Sequence, residues 1–71
     1  MPKVPQIKSG RFIKILERLG FILVRQRGSH AIMKHLDERM VIVPMHSGDI
    51  PSGTLRGILV DAKLTVEDLD E

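Results

Sequence analysis

Two residues, Gly28-Ser29, separate two segments rich in large apolar side chains, "FILVRQR" at 21–27 and "HAIMKH" at 30–35. This junction constrains the fold more than any other feature. A type II′ turn needs a positive φ at its first central position, which glycine adopts without penalty, so the flanking segments read as an antiparallel hairpin. A third apolar run, "MVIV" at 40–43, follows "LDER" and ends at Pro44, which cannot donate to a strand ladder. The spacing predicts a three-stranded antiparallel meander.

Helical patterns flank the meander. In "SGRFIKILERLG", Phe12, Ile15, Leu16 and Leu19 recur at i, i+3, i+4 and i+7, with Ser9 placed to cap the start and Gly20 the end. Arg11, Lys14 and Arg18 gather on the opposite side, where they could touch phosphates or simply face solvent. In "TLRGILVDA", Leu55, Ile58, Leu59 and Ala62 form a second stripe, with Ser52 as the expected N-cap, and "TVEDL" reads as one more helical turn with Thr65 and Asp68 at capping-box spacing. The order α-β-β-β-α predicts an α+β fold in which two helices cover one face of the sheet. Residues 1–71 make a single domain, with 1–7, containing Pro2 and Pro5, expected as a flexible tail.

A chain of 71 residues buries only about 60% of its unfolded surface, so one small core is expected. With no cysteine, that core has neither disulfides nor thiolate metal sites to support it, and a cytoplasmic location is the expectation. The longest apolar runs are four residues, far below the roughly 18 to 20 of a membrane span, and the N-terminal stretch lacks the apolar region of a signal peptide. Charge is unevenly distributed. Residues 1–35 carry eight Lys/Arg against one acid, and residues 36–71 carry three against eight, so one region suits a polyanion.

A two-residue turn pairs Arg27 with His30, Arg25 with Ile32, Val24 with Met33 and Leu23 with Lys34. Alternation then predicts a core face of Ile22, Val24, Ala31 and Met33, and an outward face of Arg25, Arg27, His30 and Lys34. Arg27 could hold a phosphate while His30 moves a proton, since histidine alone has an unperturbed pKa, about 6.5, that allows both protonation states near neutrality. A surface histidine beside a turn is the plainer alternative. Gly28 sets the turn, and Ser29 in it joins the candidate RNA contacts with Arg25, Arg27, Lys34, Lys14 and Arg18.

The outward face also receives Leu23 and Ile32, an apolar strip that suits a partner or a covering C-terminal turn. A two- or four-residue second loop would add Val41 and Val43 to that face, whereas a three-residue loop would turn them inward. His30 and His35 lie five apart on one strand and point to opposite faces, which argues against a zinc site with His46. Structural roles are expected for His35 and His46, although His46, in a loop ahead of a helix, could reach substrate. No metal or cofactor is called for.

Taken together, "LGF" at 19–21, "RQRGSH" at 25–30, "VP" at 43–44 with His46, and "SGTLRGIL" at 52–59 leading to "LT" at 64–65 resemble the HicA toxins of toxin–antitoxin systems. The resemblance runs in family order across nearly the whole chain. It implies a fold similar to the double-stranded RNA-binding domain, metal-independent cleavage of mRNA, inhibition by a HicB-like antitoxin, and a catalytic role for His30. Leu23 and Ile32 are the candidate antitoxin contacts; no membrane partner is expected, and weak self-association is allowed. The chain departs from the family pattern at "HLDER", where His-Pro-Asp-Gly-Arg is frequent, and at Met33, where an aromatic is frequent. Glu38 stands where glycine is common, which makes a left-handed turn costlier. A non-catalytic RNA-binding module on the same fold is the competing reading.

Overall fold

The computed structural model describes residues 3–69. Its elements are α1 (Ser9–Arg18), β1 (Phe21–Arg27), β2 (His30–His35), β3 (Met40–Pro44) and α2 (Ser52–Ala62), followed by a 3-10 turn over Val66–Leu69. The strands form one antiparallel sheet in the order β1-β2-β3, as the meander predicts. Phe12, Ile15 and Leu16 of α1 and Leu55, Ile58, Leu59 and Ala62 of α2 are buried with Ala31, Met33, Val41 and Val43 of the sheet. The two helical stripes therefore close the core over one sheet face, leaving the other face open.

Both expected serine caps are displaced. Position 8, extended at φ −84° and ψ 153°, caps α1, and Pro51 caps α2, each without a side-chain cap bond. Ser9 is 1% exposed, so its hydroxyl must find a partner inside the protein. It donates to the Pro44 carbonyl at 2.5 Å, a group freed where β3 ends, and so ties the start of α1 to the end of the sheet. Gly20 follows α1 at φ +101°, the position expected to close the helix. Thr65 and Asp68 make half of the expected box: the Thr65 N–H donates to Asp68 Oδ2 at 2.7 Å.

The first hairpin departs from simple alternation. Arg27 pairs with His30, Gln26 with Ala31 and Arg25 with Ile32 as expected, but Leu23 then pairs with Met33, leaving Val24 as the extra residue of a bulge. Ile22 and Val24, expected in the core, are 61% and 50% exposed, and Phe21 is buried instead. The cause lies in parity. A regular strand puts Phe21, Arg25 and Arg27 on one face, so burying the phenyl ring would drag both guanidinium groups inward. One extra residue at Val24 lets Phe21 point in while the arginines point out. The bulge also moves Leu23: it pairs with buried Met33, on the helix side of the edge strand, and no longer shares a face with Ile32.

The second hairpin settles the remaining parity question. Lys34 pairs with Met40, and the His35 N–H donates to the Arg39 carbonyl at 2.8 Å, so the loop is the three residues Leu36, Asp37 and Glu38. Val41 and Val43 turn inward, and Met40 and Ile42 turn outward. Glu38 adopts φ +80° despite its β-carbon. Within the segment expected as a tail, Ile7 is buried and its carbonyl accepts the Ile50 N–H at 2.8 Å.

Candidate active site

The β1–β2 turn brings the candidate residues Arg27 and His30 side by side. Gly28 has φ +55° and Ser29 is not among the residues with positive φ, which matches the II′ pattern. Gln26 Nε2 donates to the Gly28 carbonyl at 3.1 Å, bracing the turn from within. The Met45 N–H donates to the Ser29 carbonyl at 2.5 Å, bracing it from the chain beyond β3. Arg27 and His30 face each other as direct partners on the open face, and both are exposed. Directly opposed side chains have Cβ atoms roughly 4.5 to 5.5 Å apart, close enough for one phosphate to touch both.

Arg25 shares that face through its pairing with Ile32, as does Lys34 through its pairing with Met40. Lys34 Nζ lies 3.3 Å from Glu38 Oε1, an exposed ion pair that a phosphate can displace at little cost. Lys14 and Arg18 belong to α1, in the helical layer on the other side of the sheet. The structure thus gathers Arg25, Arg27, His30 and Lys34 and separates Lys14 and Arg18 from them.

The other two histidines have different surroundings. The His35 ring makes an edge contact with Phe21, with centroids 5.1 Å apart at 69°. Its Nδ1 accepts the Asp37 N–H at 3.2 Å. The Arg39 guanidinium lies over the Phe21 ring, 5.2 Å from its centroid, donates through Nε to both Asp37 oxygens at 3.0 and 2.8 Å, and reaches the Ala62 carbonyl with Nη1. The Arg39 hydrogen bond holds the Asp37 carboxyl below its ordinary value of 3.8. His35 is therefore part of a clasp joining the second loop, Phe21 and the end of α2. His46 is exposed in the loop after β3. Among the described residues, no group of three or more His, Asp or Glu is placed to hold a metal ion.

Beside the basic cluster lies an apolar field that alternation alone did not predict. Ile22, Val24, Met40 and Ile42 are at least half exposed on the open face, around the partly buried Ile32. At its far end, Gly20, Ile22, Val24, Lys34, His35 and Leu36 border a shallow hollow of about 180 Å³. The C-terminal turn does not cover this field, because Leu69 packs into the core with Ile7. The signals for it were the shared parity of Phe21, Arg25 and Arg27 and the choice of second-loop length.

The profile of a family described as the HicA toxin of bacterial toxin–antitoxin matches residues 9–64. The chain belongs to the HicA toxin family. That span runs from the first residue of α1 to just beyond α2, so it includes the hairpin, the His30–Arg27 pair and the whole sheet of this HicA. None of the curated proteins matches the chain. No helix among the described residues is long and apolar enough to cross a membrane.

Proposed function

We propose that this HicA is an endoribonuclease that cleaves mRNA without a metal ion, with His30 transferring a proton at the scissile phosphodiester. The observation that carries the reading is the direct pairing of His30 with Arg27 on an open, basic sheet face. Arginine supplies a permanent charge where the phosphorane-like transition state develops, and histidine supplies a group that can take a proton from a 2′-hydroxyl or give one to a leaving oxygen. Arg25 and Lys34 position the strand through phosphate contacts, Ser29 can add a hydroxyl contact at the turn, and Lys14 and Arg18 would engage only RNA that extends around to the helical layer. The family assignment supports the same activity, since HicA toxins are generally ribonucleases.

The partner implied by the family is a HicB antitoxin. An antitoxin seated on Ile22, Val24, Ile32 and Ile42 would bury the apolar field and close access to His30 in one step. An mRNA substrate would place this activity in the cytoplasm.

The test is His30→Ala. The residue is exposed at the edge of a turn, so the variant should stay within about 0.5 kcal/mol of wild-type stability. It should bind RNA through the remaining cations and lose about 10² to 10⁴ in single-turnover cleavage, with wild-type cleavage surviving EDTA. A folded His30→Ala protein that binds RNA and cleaves within tenfold of wild type would remove His30 from catalysis. Wild-type protein that binds RNA without cutting it would instead make this chain an RNA-binding module.

A further inference from the structure

Cleavage by internal attack requires two proton transfers, one from the 2′-hydroxyl and one to the 5′-oxygen that leaves, and His30 alone accounts for one. We infer that His46 is the second proton-transfer group; this rests on the ribonuclease reading above. The argument is one of register. His30 pairs with Pro44, and the Met45 N–H to Ser29 carbonyl bond continues the same β2–β3 register one step past the end of β3. Carried one residue further, past the last bond of the ladder, the same count would bring His46 to the level of Gly28 in the turn. Pro44 shares the open face with His30, Met45 packs against the core, and His46, two residues past Pro44, is exposed, as it would be if the alternation ran on beyond β3.

On that count His46 is the diagonal neighbour of His30. Diagonal positions on a sheet lie about 7 to 8 Å apart at Cα, within reach of aromatic-sized side chains. Two imidazoles at that separation can stand on either side of one phosphate, with Arg27 beside it. The position level with His46 on the same count is a glycine, whose missing side chain leaves open space there: a β-carbon on Gly28 would meet nothing within 4 Å. His46 is itself exposed, and its ring lies beside Gly48, where a β-carbon would stand 3.8 Å from Nδ1.

The step balances without a co-reactant. One imidazole takes the 2′-hydroxyl proton as the 2′-oxygen forms its bond to phosphorus, and the bond from phosphorus to the 5′-oxygen breaks as the other, protonated imidazole donates to that oxygen. The products are a 2′,3′-cyclic phosphate and a 5′-hydroxyl, and the two histidines end in exchanged protonation states.

The experiment compares wild type, His30→Ala, His46→Ala and His46→Gln in single-turnover cleavage of a long labelled RNA across pH, with circular dichroism and filter binding on each protein. Both His46 variants should fold, bind RNA, lose about 10² or more in rate, and replace a bell-shaped pH profile with a single limb. A substrate with a bridging 5′-sulfur at a mapped cleavage point needs no acid, because thiolate leaves unprotonated. It should restore cleavage in one of the two alanine variants and not in the other. His46→Ala cleaving within tenfold of wild type with both limbs intact would overturn the role of His46 and leave the ribonuclease reading standing. Full activity in His46→Gln would overturn it too, because an amide can hold a strand in place but cannot pass a proton. Failure of both variants to respond to the sulfur substrate would count against it in the same way. Failure of wild type to cut any RNA would remove the underlying ribonuclease reading.

Discussion

Gly20→Ala probes the joint on which the sheet face depends. At φ +101° a β-carbon is strained, costing about 1 to 2 kcal/mol. That carbon would also stand 2.6 Å from His35 Nε2 and 3.0 Å from its Cδ2. Phe21 next to it is fully packed, so the backbone has little room to retreat and the imidazole must move. Its edge contact with Phe21 is then lost, at about 0.5 to 1.5 kcal/mol. Alanine returns about 0.4 to 1 kcal/mol by restricting the unfolded chain. The net loss is about 1 to 2.5 kcal/mol, which for a domain of this size lowers the melting temperature by roughly 5 to 15 °C. Urea unfolding followed by circular dichroism measures it, in wild-type and His35→Ala backgrounds. Removing the imidazole should reduce the cost of Gly20→Ala to its backbone part. An equal cost in both backgrounds would refute the steric argument, and a loss under 0.5 kcal/mol in wild type would refute the strain argument as well.

Three further outcomes are expected. Arg27→Ala should weaken RNA binding and reduce the slope of log K against log salt by roughly 0.7, whereas an unchanged slope would place the RNA elsewhere. Glu38→Gly should stabilise the protein by about 0.5 kcal/mol at most, since relief of φ +80° is offset by the freer unfolded glycine and the lost exposed Lys34 ion pair; chemical denaturation reads the change. In complex with a HicB-like antitoxin, hydrogen exchange should slow in residues 22–34 and 40–42, and unchanged exchange there would mean inhibition from another surface.

The element order was legible because each element carries its own period. Phe12, Ile15, Leu16 and Leu19, and then Leu55, Ile58, Leu59 and Ala62, repeat as helices whatever surrounds them, and the Gly28-Ser29 turn sets the register of its nearest neighbours through local backbone geometry. The pairing of Arg27 with His30 follows from that turn alone, so the centre of the candidate site could be placed before any tertiary contact was known. The family motifs run through the same residues, which is why resemblance and residue-level reading meet at His30.

Tertiary packing decided what lies on each face away from the turn. Period-two alternation holds only while the ladder is unbroken, and the conflict between burying Phe21 and exposing Arg25 and Arg27 broke it at Val24. Likewise, Val41 and Val43 could face either way until the second loop closed with three residues and Glu38 in a left-handed conformation. Ser9 abandoned its local capping role because burial made the Pro44 carbonyl, 35 positions away, its available partner. Those long-range choices expose Ile22, Val24, Met40 and Ile42 beside the basic cluster and carry the β2–β3 ladder one bond past Pro44, to Met45 and Ser29. Local preference defines elements and turns, but which side of a sheet becomes the interior is decided by competition among distant groups for burial.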